Sequence, residues 1–348
     1  MTQEPNRSAL ISEIERARDS RVISFVTGDR QNLEARIAGD VLPLFYEHLR
    51  AIGNVREIDL FLYTQGGDSL AGWGLVNMIR EHCERFVVIA PFRCFSCGTL
   101  ITLGADEVIV TAGTELSPID PSVASPYNPP APTPAGGPQV QLLPVSIEDL
   151  LGYLSLVTQE AGLRDETAVG RILEMLSRKV HPLALGAVYR AKEQVQFLAR
   201  QLLMNHFDDA AKIELIIEHF TKMPSHAYII GRREARRILG EDFVRSAESP
   251  VEGLAVDLYN VYRDWLRLTT PFSPEYEIGQ ESQAVRTLPR AVLESVHDGA
   301  LRSYVFRTRM EFTAVEVSQP NVATPTPGMQ TRVLAEGWTR WPEGVEGA

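Results

Sequence analysis

The sequence of 348 residues is acidic, with a formal net charge of −11, and 44% of its residues are hydrophobic. An acidic surface does not attract phosphate backbones or anionic lipids, so the composition argues against nucleic-acid and membrane-surface binding. The longest apolar runs have only the length of buried strands, so we expect no membrane span. The polar start of the chain is unlike a signal peptide, and the three cysteines make no disulfide framework. We therefore expect a cytoplasmic protein.

Helices and strands are predicted to alternate over the first third of the chain. Apolar residues at helical spacing predict helices over residues 9–19 and 38–51. Apolar runs predict strands over residues 21–26, 58–63, 86–90 and 108–110. This alternation favours an α/β fold, in which right-handed crossovers join parallel strands and the working loops gather at the carboxyl ends of those strands.

The remaining chain is predicted to be mainly helical before it ends in an extension. We expect a core over residues 1–125 and a mobile loop over residues 126–138, because the loop segment is rich in Pro, Gly and Ala. Residues 139–265 have the pattern of a helical continuation of the same domain. Residues 266–348 are expected to form a carboxyl-terminal extension with some strand, followed by a flexible tail from residue 319.

The first segment with chemical potential is TQGGD at residues 64–68, directly after a predicted strand. Two consecutive glycines leave the backbone N–H groups open to close approach by a ligand, because no Cβ stands in the way. An oxyanion hole needs such donors where negative charge develops in the transition state. Gly66 and Gly67 are therefore candidates for an oxyanion loop. The alternative is a tight turn between a strand and a helix.

The second segment is CFSCGT at residues 94–99, between a predicted strand and a predicted helix. Ser96 could project its hydroxyl into a crevice, and the Cys97 N–H at the helix start could serve as a second oxyanion donor, strengthened by the helix dipole. The alternative is that Ser96 only caps the helix. Two such loops on either side of one helix favour a serine-hydrolase active site centred on Ser96.

Three segments in combination resemble a known family: IDLFLYTQGGD at residues 58–68, FSCGTLITLGA at residues 95–105 and LSPIDP at residues 116–121. They are similar to the serine dehydrogenase proteinase family of the ClpP/crotonase superfamily. That superfamily also contains the Clp protease proteolytic subunit and signal peptide peptidase A. The resemblance covers about residues 11–257 and implies a ClpP/crotonase-like spiral of βαβ units with a mainly helical carboxyl-terminal half.

The resemblance also implies roles for individual residues. It makes Ser96 the nucleophile, and it places the N–H groups of Gly67 and Cys97 in the oxyanion hole, beside Gly66. The supporting positions are Asp68, Gly98, Thr99 and Asp120. Family members usually have a small residue such as alanine in place of Cys97, so that the cysteine could crowd the site. The activity implied is that of an ATP-independent peptidase or acyl hydrolase without a cofactor, acting on a peptide or protein substrate as a homo-oligomer.

The general base that would activate Ser96 is left open by the sequence. A serine hydroxyl is a weak nucleophile until a neighbouring base takes its proton. Clp proteases place their histidine on the strand after the nucleophile's helix, but residues 115–121 contain no histidine. A Ser-His-Asp triad is therefore unsupported. Signal peptide peptidase A uses a lysine instead, and the lysines of this chain are Lys179, Lys192, Lys212 and Lys222.

Lys179 is the first choice for the base, because apolar neighbours would desolvate its amine and favour the neutral form. These neighbours are Met175, Leu176 and Val180. Its alternative role is a solvated cation near a helix end. His181 is the second choice, since an imidazole titrates near neutral pH, and its alternative role is a helix-junction residue before a proline. Asp120 could orient the base, although fixing a turn is the simpler role.

The same residues allow two alternatives to a hydrolase. Cys94 and Cys97 form a Cys-x-x-Cys pair at a helix start, which is the layout of a thiol-disulfide site, although the usual Trp-Cys-Gly-Pro-Cys context is missing. A catalytically inactive or acyl-CoA-binding scaffold is the second alternative, because the expected histidine is missing. A zinc site is not expected, since only Cys83 remains as a third thiolate and structural zinc takes four ligands.

Overall fold

The computed structural model describes residues 7–119, 122–123, 126–130, 142–143, 145–223, 225–317 and 326–341. The chain forms two compact units. Unit 1 comprises Met1–Leu116 and Gly231–Ala348, and unit 2 comprises Ser117–Ile230. Both loops singled out in the sequence belong to unit 1.

Helices occur in both units. In chain order the α-helices are α1 (Arg7–Arg18), α2 (Leu42–Ile52), α3 (Ser69–Arg80), α4 (Cys97–Leu103), α5 (Ile147–Ser155), α6 (Glu166–Ser177), α7 (Pro182–Leu203), α8 (Ala210–Thr221), α9 (Arg232–Leu239), α10 (Val251–Trp265) and α11 (Pro274–Ile278). A 3₁₀ turn, Gly39–Val41, leads into α2, and a π-helical turn, Leu156–Glu160, follows α5. Among the described helices, none combines the length and apolarity needed to cross a membrane.

The strands are concentrated in unit 1. In chain order they are β1 (Arg21–Thr27), β2 (Val55–Tyr63), β3 (Cys83–Ala90), β4 (Arg93–Cys94), β5 (Glu107–Val110), β6 (Glu115–Leu116), β7 (Ser122–Val123), β8 (Val145–Ser146), β9 (Ile230–Gly231), β10 (Val244–Ser246), β11 (Gln283–His297), β12 (Ala300–Val317) and β13 (Thr326–Trp341). Eight of them form one sheet in the order β10–β5–β3–β2–β1–β11–β12–β13.

The first five strands of that sheet are parallel, and helices connect β1 to β2 and β2 to β3. From β1 onward the order continues with antiparallel pairs through β11, β12 and β13. Parallel strands need crossover connections, and helices are the usual solution. The predicted α/β fold is confirmed.

Helices cover both faces of the parallel strands. On one face Val26 of β1 lies in a buried cluster with Ile14 of α1 and Tyr262 of α10. On the other face Phe25 meets Phe45 of α2, with ring centroids 5.1 Å apart. Successive strand residues point to opposite faces, so a strand that is covered on both sides has a continuous apolar run. This explains why β1 and β2 could be recognised from the sequence.

Unit 2 is mainly helical, as predicted for this part of the chain. Its longest helix, α7, has 22 residues and contacts β7, β8, α5 and α8. A proline at the start of α7 has no N–H to leave unpaired and has a backbone angle suited to a helix. The buried residues on α7 and α8 include Val188, Val195, Leu198, Leu202, Ile213, Ile216, Ile217 and Phe220.

The prediction of a flexible tail is wrong over residues 326–341. This segment is β13, which pairs antiparallel with β12 from the Val317–Thr326 pair to the Ser303–Trp341 pair. Most side chains of β13 are exposed, so its order depends on backbone pairing, which an apolar pattern does not reveal. The extension also joins the main sheet, because β11 lies beside β1.

Several sequence predictions lie wholly or partly outside the described residues, including residues 319–325 and 342–348 of the predicted tail. Asp120 is another. In the predicted mobile loop, residues 126–130 are described and residues 131–138 are not.

Candidate active site

The two predicted loops meet beyond the carboxyl end of β2. The Thr64 N–H donates to the Arg93 carbonyl at 2.9 Å, and the Phe95 N–H donates to the Thr64 carbonyl at 2.9 Å. Ser96 and Gly66 are so close that a Cβ added to Gly66 would lie 2.7 Å from the Ser96 Cβ. The glycine loop (residues 64–68) and the serine loop (residues 94–99) are therefore direct neighbours.

Ser96 has a strained backbone at the start of α4. Its φ is 51°, in the left-handed region, and its ψ is −111°. Such conformations cost about 1–3 kcal/mol for a residue other than glycine, and they cluster at functional sites. Ser96 occupies the N-cap position of α4, but its side chain makes no capping hydrogen bond. The alternative role of Ser96 as a helix cap is therefore wrong. A strained serine between a strand and a helix has the geometry of a nucleophile elbow.

The glycine loop is held by the backbone of Ile37. The Ile37 N–H donates to the Gly66 carbonyl at 2.9 Å, and the Asp68 N–H donates to the Ile37 carbonyl at 2.8 Å. The φ angles of Gly66 and Gly67 are 105° and 154°, and a Cβ on Gly67 would lie 2.1 Å from the Ile37 carbonyl oxygen. Both positions therefore require glycine. The sequence did not indicate Ile37, because a backbone contact has no side-chain signature.

Two backbone N–H groups are suited to act as oxyanion donors. The pairing with Ile37 uses the Gly66 carbonyl and the N–H after Gly67, so the Gly67 N–H lies outside that pairing. Cys97 is the first residue of α4, where N–H groups have no acceptor in their own helix and carry the positive end of the helix dipole. The Gly66 N–H is committed to Thr64 Oγ1 at 2.9 Å. Gly66 therefore contributes space and not a donor.

The supporting residues have structural contacts on either side of the serine. Asp68 is the N-cap of α3, and its Oδ1 accepts the N–H two residues further on at 2.9 Å. A Cβ on Gly98 would lie 2.5 Å from Thr64 Cγ2, so α4 packs closely against the residue that follows β2. The Thr99 hydroxyl donates to the Cys94 carbonyl at 2.8 Å. These contacts fix the starts of α3 and α4.

The two cysteines of the Cys-x-x-Cys pair are buried thiols. Cys94 is 0% exposed and Cys97 is 3% exposed. Their sulfurs donate to the Leu62 carbonyl at 2.9 Å and the Asp68 carbonyl at 3.1 Å, respectively. Burial raises the pKa of Cys97 to about 12 and raises the pKa of Cys94 well above its ordinary value. Reactive cysteines need an accessible thiolate, so these properties oppose the thiol-disulfide alternative. The Cys97 sulfur packs against Gly72 of α3.

His181 and Lys179 lie in unit 2. His181 is the N-cap of α7: its Nδ1 accepts the Leu183 N–H at 3.1 Å, and its ring stacks on Tyr127 with centroids 4.8 Å apart. This is the structural role given above as the alternative to catalysis. A neutral ring that accepts at Nδ1 carries its hydrogen on Nε2 and has no second lone pair for a proton. Lys179 is exposed in this chain, and Met175 is 63% exposed, so the predicted desolvation of Lys179 is wrong here.

Among histidines and lysines, the unit that carries Ser96 contains only His48, His82 and His297. Its sequence contains no lysine. His48 Nδ1 lies 2.5 Å from Ser295 Oγ, and His297 Nε2 lies 2.7 Å from the same oxygen. His82 Nδ1 lies 2.9 Å from the Met78 carbonyl. Each histidine of unit 1 is therefore engaged by another group. Among the residues that the structure describes, no three His, Cys, Asp or Glu side chains are grouped as a metal site would require.

The part of the chain that forms these loops matches a known protein family. Residues 1–133 match the family of ClpP-like SDH-type serine proteinases. The matched segment contains the glycine loop, the strained serine and α4. The resemblance predicted from the sequence is therefore confirmed for this part of the chain.

Two uncharacterized proteins of Methanocaldococcus jannaschii are similar to parts of the chain. MJ1495 is 34% identical over 128 residues, which is 34% of this chain and 42% of that protein. MJ0137 is 36% identical over 75 residues, which is 22% of this chain and 26% of that protein. The chain thus matches less than half the length of these relatives. Among solved structures, a ClpP1 mutant from Listeria monocytogenes has a TM-score of 0.38 and 14% identity, over 70% of this chain and 99% of that chain.

Proposed function

We propose that the chain is a serine peptidase, or a related acyl hydrolase, that acts through an acyl-enzyme on Ser96. The observation that carries the proposal is the strained serine at a helix start, packed directly against the glycine loop. The match of residues 1–133 to a family of serine proteinases supports the same chemistry. A peptide or protein substrate, independence of ATP and of cofactors, a cytoplasmic location and a homo-oligomeric state belong to this proposal.

In the proposed reaction Ser96 Oγ attacks a carbonyl carbon while its proton passes to a base. The carbonyl oxygen becomes an oxyanion that accepts hydrogen bonds from the N–H groups of Gly67 and Cys97. Loss of one such donor typically lowers kcat by about 10²–10³-fold. The leaving group departs with the transferred proton, and a water activated by the same base then releases the acyl group and restores the serine.

We propose a lysine or a histidine as the base, with Lys179 as the first candidate and His181 as the second. His181 is second because its Nδ1 already accepts a backbone N–H. A lysine accepts a proton only when its amine is neutral, and loss of water favours that form. Lys179 is exposed in the single chain, so catalysis would require that substrate or a second copy of the chain cover it.

A fluorophosphonate probe tests the proposal, because it reacts only with an activated serine. The wild-type chain should be labelled at Ser96, and Ser96→Ala should abolish both labelling and turnover of a peptide and ester panel. Lys179→Met should lower the labelling rate, while Lys192→Met serves as the matched control and should not. An unlabelled wild-type protein in both monomeric and oligomeric fractions would contradict the hydrolase proposal and favour the inactive-scaffold alternative.

A further inference from the structure

Thr64 lies at the point where the glycine loop leaves β2, and its hydroxyl is fully enclosed. Thr64 and Thr27 are each 0% exposed. Thr64 Oγ1 accepts the Gly66 N–H at 2.9 Å and lies 2.6 Å from Thr27 Oγ1 on the neighbouring strand β1. The same oxygen lies 3.4 Å from the Gly66 carbonyl. One side-chain oxygen directly after β2 therefore connects the glycine loop to the neighbouring strand β1.

The rest of Thr64 holds the serine loop. Its backbone N–H and carbonyl bond to the residues on either side of Cys94 at 2.9 Å each. Its methyl group fills the space where Gly98 of α4 has no side chain, since a Cβ there would lie 2.5 Å from Thr64 Cγ2. Thr64 thus contacts both the glycine loop and the serine loop that carries the candidate nucleophile, through different atoms.

We propose that Thr64 is a positioning residue that sets the distance between the oxyanion donors and Ser96, a role that rests on the function proposed above. The Gly66 N–H belongs to the Gln65–Gly66 peptide, and its bond to Thr64 Oγ1 fixes the start of the glycine loop. The Gly67 N–H belongs to the next peptide, whose Gly66 carbonyl accepts the Ile37 N–H and lies 3.4 Å from the same Thr64 oxygen. The direction of the Gly67 N–H therefore depends on the Thr64 hydroxyl together with Ile37. The methyl group packs against Gly98 of α4, but it forms no hydrogen bond to the glycine loop, so the positioning role is assigned to the hydroxyl. A misplacement of about 1 Å at a catalytic group can cost about 10²-fold in rate.

The chain contains the same turn at a second place, which supplies a matched control. Thr111 follows β5, is 2% exposed, and accepts the Gly113 N–H at 3.1 Å. Its hydroxyl donates to the Pro91 carbonyl at 2.8 Å. Both threonines are buried, both follow a strand, and both accept the N–H of the glycine two residues further along the chain. Of the two, only Thr64 bonds to the glycine loop.

Three variants separate the roles of the Thr64 atoms. Thr64→Val keeps the methyl group, removes the hydroxyl and places a carbon where the Gly66 N–H needs an acceptor. Thr64→Ser keeps the hydroxyl and removes the methyl group. Thr111→Val makes the same change as Thr64→Val in the control turn. We expect Thr64→Val to lower the fluorophosphonate labelling rate and kcat by about 10–10³-fold with little change in KM, and the other two variants to stay within about threefold of wild type.

Hydrogen exchange at the Gly66 amide provides a readout that does not depend on catalysis. The amide should exchange faster in Thr64→Val than in wild type, and at the wild-type rate in Thr64→Ser. The hydroxyl has no positioning role if Thr64→Val and Thr111→Val lower the labelling rate equally. The same conclusion follows if Thr64→Ser lowers the labelling rate as much as Thr64→Val does. If wild type is never labelled, the proposed function fails, and unchanged Gly66 exchange in Thr64→Val would overturn the Thr64 assignment separately.

Discussion

The buried His48 should make the folded protein lose stability in mild acid. His48 is 0% exposed, and its Nδ1 lies 2.5 Å from Ser295 Oγ, which also contacts His297. Burial first, and then the charges of Arg302 and His297, lower the pKa of His48 from 6.5 to about 3. The His48 ring also packs nearly perpendicular to the Tyr304 ring, with centroids 5.7 Å apart, so the ring has little room to move into water.

The sign and size of the effect follow from proton linkage. An unfolded histidine titrates near pH 6.5. Between that pH and about 3, the unfolded chain binds a proton at His48 that the folded protein does not bind. The free energy of unfolding therefore falls as pH decreases, by about 1.4 kcal/mol per pH unit. From pH 6.5 to about pH 5 the loss is about 2 kcal/mol. His297, whose pKa is also lowered by burial, acts in the same direction.

Urea denaturation followed by far-UV circular dichroism would measure this contribution in wild type and in His48→Gln. Glutamine does not titrate, so the variant should lose stability less steeply below about pH 6.5, by about 1.4 kcal/mol per pH unit. The carboxylates are the same in both proteins and cancel in the difference. His297→Gln gives a second variant if His48→Gln folds poorly. Parallel stability curves for wild type and both variants would refute the reasoning.

Two further predictions concern the loops. Gly66→Ala should reduce fluorophosphonate labelling of Ser96 by at least about 10²-fold, because the new Cβ would lie 2.7 Å from the Ser96 Cβ at a φ of 105°. Gly74→Ala is the control, because its Cβ would meet only an ordinary contact at 3.6 Å. Equal labelling of both variants would contradict the close approach of the two loops. The thiols of Cys94 and Cys97 should be alkylated, as measured by mass spectrometry, only after unfolding, because both are buried; rapid alkylation of the native protein would reopen the thiol-disulfide alternative.

The sequence was most informative where structure is local. The strand that ends at Tyr63 and the loops around Gly66 and Ser96 could be predicted, because apolar runs and glycines act within a few residues. Close approach between the two loops also followed from parallel-strand topology. The sequence does not show that the Gly66 N–H is bonded to Thr64. From the sequence alone, Gly66 and Gly67 are therefore equal candidates for the oxyanion hole.

Long-range pairing was not predictable in the same way. Ile37 holds the glycine loop through its backbone alone, and any residue with an N–H and a carbonyl could do so. Strand β13 is exposed on most of its side chains, so it has no apolar pattern to distinguish it from a loose tail. The sequence neighbours of Lys179 predict desolvation of its amine. In the single chain, however, neighbours such as Met175 are exposed and do not cover that amine.

The place of β11 in the sheet has a consequence for biosynthesis. The strands β1, β2, β3 and β5 leave the ribosome early, but one edge of this parallel group is completed by β10 and the other by β11. Until residues 283–297 have been translated, β1 therefore presents unpaired N–H and carbonyl groups to its surroundings. Open strand edges pair readily with other chains. Nascent or truncated polypeptides that stop before β11 should therefore need chaperone protection, even though they already contain the complete glycine and serine loops.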